Sequence, residues 1–379
     1  MPKDNLFRNY IYPIAVFSSG MIGVGFLSLP YIASRVGIWP MLFYFLVITA
    51  LIVFINLIFC DLSLRTPDFK RFPGFVGYYL GKWPEVFTMI SIIVGTLGVL
   101  LAYLIVAGQF LTAVLQPMFG GSELLYIFIY FIAVSLIIYF DIKIVARVEF
   151  LVLVLLFFSV LFIFIDGFSQ IKLSNIFAAG QLSYFFLPYG PLLFALWGVS
   201  LIPEVEEMLR GKKGNLKKNI VFSTILVSIF YLLFTILILG ITGVNTGSVA
   251  LTSLKNFVSN QLVSLALLVG TMATFTAFIA QGIIFKKTLV FDLGIKHWQA
   301  FVMTCFTPMI LFLLGLKSFI PILSLVGGVL LGIDGILILL MYKKIPAYQQ
   351  AGQIKKAIVN LLALVFVFGV AYEIIYFVK

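Results

Sequence analysis

Two stretches of the sequence hold the residues best able to handle a small charged molecule. Ser18-Ser19-Gly20-Met21-Ile22-Gly23-Val24-Gly25 leads into Pro30, and Phe194-Ala195-Leu196-Trp197-Gly198-Val199-Ser200 leads into Pro203; in each, a glycine precedes the proline by five residues. Glycine removes side-chain bulk and frees the backbone, and proline deletes an amide donor, so a helix carrying both can unwind there. Amides exposed at the positive end of one half-helix suit a carboxylate, and carbonyls ending the other suit an ammonium or a cation. A zwitterion is thus met from both sides by one broken helix. On this reading the binding candidates are Ser19, Gly20, Gly23, Val24 and Gly25 in the first stretch, and Phe194, Ala195, Trp197, Gly198 and Ser200 in the second. The competing reading is that these glycines serve only close helix packing.

Ionisable and hydroxyl side chains inside apolar runs form a second group. Glu204 follows Pro203 directly and is placed to exchange a proton as the site opens; alternatively Glu204, Glu206 and Glu207 pair with Arg210, Lys212 and Lys213. Asp334, in Gly332-Ile333-Asp334-Gly335, is a candidate for a gate or proton path, or satisfies a neighbouring hydroxyl. Thr271, Thr274 and Thr276 can offer hydroxyls to a substrate or ion, although threonine bonding back to its own helix is the commoner arrangement. Asp141, Arg147 and Glu149 read as a structural ion-pair network at helix ends. One histidine, His297, and two cysteines in apolar runs, Cys60 and Cys305, leave little material for zinc chemistry, histidine-based catalysis or a disulfide framework. No metal site and no cofactor are expected.

The elements that position these residues follow from the composition. Of 379 residues, 63% are hydrophobic and 10% charged, with 41 phenylalanines and a formal net charge of +11. A soluble domain carries about 25% charged residues, so this chain faces lipid, and soluble enzymes, nucleic-acid partners and disordered scaffolds are excluded. Lys3 and Arg8 ahead of an apolar stretch resemble a signal peptide superficially, but without a small-residue cleavage site the stretch reads as a first helix. A helix needs ~20 apolar residues to cross the hydrocarbon core. Punctuated at its charged, glycine and proline clusters, the chain gives eleven spans: about 10–36, 39–64, 84–117, 122–140, 145–166, 183–208, 217–240, 260–291, 298–316, 319–343 and 356–378. The segment from Pro73 to Gly81 is too short to span and reads as an interfacial helix. With the N-terminus inside and the C-terminus outside, 20 of the 25 Lys and Arg residues fall on the cytoplasmic side.

The two glycine–proline stretches are separated by an offset of 173 residues, and the same offset carries the second to fifth spans onto the seventh to tenth. Five spans per unit invert the second copy relative to the first. The expected organisation is therefore one transmembrane domain over 1–379, built from inverted repeats at about 10–166 and 183–343 with an extra helix at about 356–378.

Gly23-Val24-Gly25-Phe26-Leu27-Ser28-Leu29-Pro30-Tyr31 resembles the first-helix motif of the amino acid/auxin permease family, a branch of the amino acid-polyamine-organocation superfamily. Gly98 through Tyr103 to Gly108-Gln109 is similar to that family's third helix, and Phe194 to Gly198 through Ile202-Pro203-Glu204 to its sixth. The resemblance covers essentially the whole chain. It implies the leucine-transporter type of five-plus-five fold, alternating access, and proton- or sodium-coupled transport of amino acids across the cell membrane, with no obligatory protein partner. It further implies that the backbone of Gly23, Val24 and Gly25 holds the substrate carboxylate, that carbonyls around Phe194 to Trp197 hold the amino group, and that Tyr103 faces the pocket, with Thr274 nearby. The chain departs from the pattern in having Gln109 where the family often has an acid. It also has Thr276-Ala277 in place of the paired hydroxyls of sodium-coupled relatives, and its fifth helix lacks a lysine. A sodium site at Thr276 with first-helix carbonyls would thus be one ligand short, which tips the expectation towards proton coupling.

Two other classes compete. Asp141 and Asp334 would be the pair of an intramembrane aspartyl protease, a scheme in which the repeat has no place. A nutrient-sensing receptor subunit with a permease-like fold would share the same pocket, and only transport separates it from a carrier.

Overall fold

The computed structural model of the chain describes residues 7–67, 71–140, 146–209, 213–350 and 352–378. Every regular element among them is helical. The first apolar run is divided into α1 (Tyr12–Met21), a 3-10 stretch (Val24–Ser28) and α2 (Leu29–Val36). It is followed by α3 (Ile38–Ser63), α4 (Phe72–Leu80), α5 (Lys82–Phe119), α6 (Glu123–Tyr139), α7 (Ala146–Gly167) and the short α8 (Leu173–Ile176). The second divided run is α9 (Tyr189–Leu196), a 3-10 turn (Val199–Leu201) and α10 (Ile202–Leu209). Then come α11 (Lys213–Thr242), α12 (Asn260–Phe291), α13 (His297–Leu313), α14 (Phe319–Ser324), a π-helical segment (Leu325–Leu331), α15 (Gly332–Lys343), α16 (Pro346–Gln349) and α17 (Gln353–Val378).

Among the described residues six helices are long and apolar enough to cross a membrane, and the pair on either side of Ile22–Gly23, bent by 53°, makes a seventh if it is taken as one span. Three further apolar helices, Glu123–Tyr139, Val154–Gln170 and His297–Leu313, are shorter. The protein is a multi-pass membrane protein. Helices dominate because lipid offers no partner for an open amide or carbonyl.

The long helices form a frame around the two broken ones. α12 lies against α5, α7 and α13, α11 lies against α3 and α1, and α17 covers α15. The broken elements sit inside: the Val24–Ser28 stretch touches α9, α5 and α14, and α9 packs along the π-helical segment. Cys60 and Cys305 are buried and unpaired.

Candidate functional site

The first break is a local loss of helical dihedrals at two residues. Ile22 takes φ −78°, ψ 89° and Gly23 φ −110°, ψ −162°, after which the chain re-enters as a 3-10 turn. The Ile22 amide still bonds the Ser18 and Ser19 carbonyls (3.1 and 3.2 Å), and the Gly23 amide folds back onto the Met21 carbonyl (3.0 Å). The start of the Val24–Ser28 stretch has no side-chain cap, so its first amides are the orphan donors of a helix N-terminus. The second break follows at Trp197 (ψ 117°) and Gly198 (φ −125°, ψ 5°), and α9 ends there without a capping amide bond.

The two breaks face each other, and their glycines make that possible. A Cβ at Gly25 would lie 2.7 Å from Phe194 Cδ1 and 3.2 Å from Ala195 Cα. A Cβ at Gly198 would lie 2.7 Å from Phe17 Cζ and 3.3 Å from Met21 Cγ, and one at Gly20 would lie 2.7 Å from Leu201 Cδ1. None of Gly20, Gly23, Gly25 and Gly198 has a positive φ. Their part is therefore to admit the opposite helix rather than to allow an unusual dihedral, which joins the two readings the sequence left open. The amide-bearing start of Val24–Ser28 comes to lie beside the carbonyl-bearing end of α9.

The carbonyls ending α1, expected to serve a cation, are partly engaged. Met21 O accepts from the Tyr231 hydroxyl at 3.0 Å as well as from the Gly23 amide. The Gly25 carbonyl accepts from Ser28 Oγ at 2.7 Å. Acceptors for an ammonium group are therefore concentrated on α9, at Phe194 and Ala195.

Around this core, Tyr103 on α5 brings its hydroxyl to 3.5 Å from where a Gly23 Cβ would stand. Ser19, Phe194 and Trp197 are half-buried, Val24, Ala195 and Gly198 are buried, and Gly20 and Ser200 are uncovered by protein. Thr274 and Thr276 on α12 are buried, and their hydroxyls turn to their own helix: Thr274 to the Thr271 carbonyl at 2.8 Å, Thr276 to Met272 and Ala273 at 3.2 and 3.1 Å. Thr271 does the same to Leu267. Beside the first break, Ile22, Phe26, Val154, Leu156, Phe157 and Phe230 line an apolar cavity of about 190 Å³.

The candidate acids part company. Glu204 is exposed on the α10 face that also carries Ser200, one turn away, while Ser63 donates to Glu206. Asp334 on α15 is 6% exposed and its Oδ1 has no hydrogen-bond partner. Asp141, the side chains of Arg147, Glu149 and Lys213, and residues Arg210 and Lys212 lie outside the described residues, and with them the pairings expected there. Among the described residues no group of three or more His, Cys, Asp or Glu converges to hold a metal ion.

Two residues were missed by the reading of the sequence. Tyr231, which bonds Met21 and stacks on Phe26 with ring centroids 5.4 Å apart, is one of 17 tyrosines and nothing local marks it. Glu373, 1% exposed on α17, is the other. An acid in the last apolar run was the available signal.

Comparison with known proteins adds the following. The model of the tryptophan/tyrosine permease family matches residues 9–377. No curated protein sequence matches the chain. Among solved structures, the chain is similar to MhsT in complex with L-phenylalanine (14% identity, 98% of each chain covered, TM-score 0.66). It is similar as well to the Eremococcus coleocola manganese transporter (14% identity, 99% of this chain and 89% of that one, TM-score 0.63). A third similar structure is the inward-facing conformation of Mhp1 (13% identity, 96% and 88%, TM-score 0.63). The architecture is thus the leucine-transporter type.

Proposed function

The chain belongs to the tryptophan/tyrosine permease family, and from that premise we propose that it is a secondary active transporter of aromatic amino acids that works by alternating access and is coupled to protons. The observation that carries the reading is the apposition of an uncapped amide end at Val24–Ser28 with an uncapped carbonyl end at Phe194–Leu196, brought together at Gly25. The amides of Val24 and Gly25 receive the substrate carboxylate, and the carbonyls of Phe194 and Ala195 receive its ammonium group. Tyr103, Phe194 and Trp197 supply a partly aromatic wall, and the apolar cavity beside Ile22 and Phe26 is large enough for a ring. Ser19, Gly20, Ser200 and Glu204 line the uncovered side by which the site communicates with one face of the membrane.

Within this reading the three shorter apolar helices and the α9–α10 pair also cross, giving eleven spans in two inverted sets of five plus α17. The N-terminus is cytoplasmic, the C-terminus extracytoplasmic, and the whole lies in the cell membrane. The motifs resembled the amino acid/auxin permease family; the family model that matches is that of the tryptophan/tyrosine permeases. Proton coupling is favoured over sodium because Thr276 lacks a hydroxyl neighbour and because the Met21 carbonyl is already engaged.

The test is uptake by the purified protein in liposomes. Labelled tryptophan or tyrosine is expected to accumulate under an imposed pH gradient and not under a sodium gradient of equal size. Accumulation only with sodium would reverse the coupling assignment. Binding of either amino acid without accumulation under any gradient would replace the carrier by the nutrient-sensing receptor.

A further inference from the structure

Outside the facing breaks, α17 drives one acid into the protein. The Glu373 side chain is 1% exposed, and its Oε1, which lies against Gly190, has no hydrogen-bond partner. Room for it is cut from two other elements by glycines. A Cβ at Gly190 on α9 would lie 2.7 Å from Glu373 Oε1, and a Cβ at Gly328, in the π-helical segment, would collide with the Glu373 side chain. A third glycine, Gly369 on α17, admits the ring of Tyr189, whose hydroxyl also has no partner. Three glycines on three elements thus make one compartment around a carboxyl group.

What surrounds that compartment decides its chemistry. The titratable groups facing Glu373 are phenols: Tyr44 on α3, Tyr189 on α9 and Tyr372 on α17 itself. α14 and the π-helical segment contribute no titratable residue, and α15 carries Asp334, itself buried. Among the described residues no Lys, Arg or His neutralises Glu373, and a buried carboxylate without a counter-ion is an expensive arrangement. The Ser324 carbonyl oxygen lies 2.9 Å from the same Gly190 Cβ position that is 2.7 Å from Oε1, so an acceptor stands on the same side of Gly190 as the free oxygen. A neutral carboxyl can donate its O–H to such an acceptor, whereas a carboxylate can only repel it.

We propose that the Glu373 carboxyl group is the site at which this transporter carries its coupling proton. The proposal rests on the proton-coupled reading above and gives it a residue. When the proton is bound, the carboxyl group of α17 can be tied to Ser324, the last residue of α14, immediately before the π-helical segment. When it leaves, the repulsion acts on a stretch whose ladder already departs from α geometry, the kind of irregularity found at functional sites. The consequence reaches the substrate directly. Phe194 is one turn beyond Gly190 on α9, and a Cβ at Gly327 of the π-helical segment would lie 2.9 Å from Phe194 Cβ. Proton occupancy and the position of the Phe194 and Ala195 carbonyls are in this way set by one contact.

Glu373→Gln tests the assignment, because the amide keeps one acceptor and one donor group as the neutral acid does, but cannot release a proton. In liposomes the variant is expected to keep tryptophan counterflow at the wild-type level and to lose concentrative uptake, the inside-to-outside ratio under a pH gradient falling to about one. Wild-type accumulation by Glu373→Gln would overturn the proposal. A readout independent of transport is the infrared carbonyl band of a protonated carboxyl group in the purified protein. This band should titrate with pH in Asp334→Asn and should be absent in the double variant Asp334→Asn/Glu373→Gln. An unchanged titrating band in the double variant would again overturn the proposal. If the wild type neither binds nor accumulates tryptophan or tyrosine, the permease reading fails, and the infrared band still decides the fate of Glu373. Gly328→Ala, which displaces the carboxyl group without removing it, provides the same two measurements if Glu373→Gln does not yield folded protein.

Discussion

A side chain at position 25 would have nowhere to go. Its Cβ would be 3.2 Å from the Cα of Ala195, and that backbone cannot turn aside as the Phe194 ring can. Overpacking of this kind costs about 1–3 kcal/mol. Gly25→Val should therefore weaken tryptophan binding by about tenfold to a hundredfold while leaving membrane insertion intact; unchanged affinity in a calorimetric titration would refute the site. The sequence marked Gly25 as a break or a close-packing position, and the structure shows the close approach; composition shows a missing side chain and not which neighbour fills its place. At the α12 threonines the sequence left two readings, a ligand hydroxyl or a bond to the helix's own backbone, and in the structure Thr274 and Thr276 both donate to carbonyls three or four residues back.

Helical elements were the most legible part of the chain, for a reason peculiar to lipid. α12 spans Asn260–Phe291, the run of 260–291 read from hydropathy, because a membrane leaves no intermediate between an apolar helix and a polar loop. The π-helical segment left no such mark: one extra residue in a hydrogen-bond ladder does not alter composition, and Gly327-Gly328 was its only trace. Lys286, one of the basic residues counted on the cytoplasmic side, is 4% exposed and donates to the Ile138 carbonyl at 2.8 Å, where α6 ends. Contacts across elements, such as Tyr231 of α11 on the last carbonyl of α1, join residues 210 positions apart and are invisible to local pattern. Tyr231→Phe removes a buried donor from that carbonyl, an effect of about 1 kcal/mol. The expected result is a lower unfolding temperature and weaker tryptophan binding, both read from one thermal-shift series with and without substrate; an unaltered pair of curves would show that α1 needs no such anchor.

At the level of the whole molecule, the family match and the leucine-transporter architecture bear out the permease fold that the motif resemblance implied. The orientation rests on the distribution of Lys and Arg. Single cysteines placed at Lys172 and Lys355, in a background lacking Cys60 and Cys305, should react with an impermeant thiol reagent from outside the cell and from inside, respectively. The reverse pattern would invert the transporter. The reciprocal fit of the two breaks, Gly25 against Phe194 and Ala195 and Gly198 against Phe17 and Met21, has a bearing on how such a machine moves. Each kink is the bearing surface of the other, so neither can rotate without displacing its mate. Two hinges packed into each other in this way are expected to move together, which disfavours the combination in which both sides are open at once.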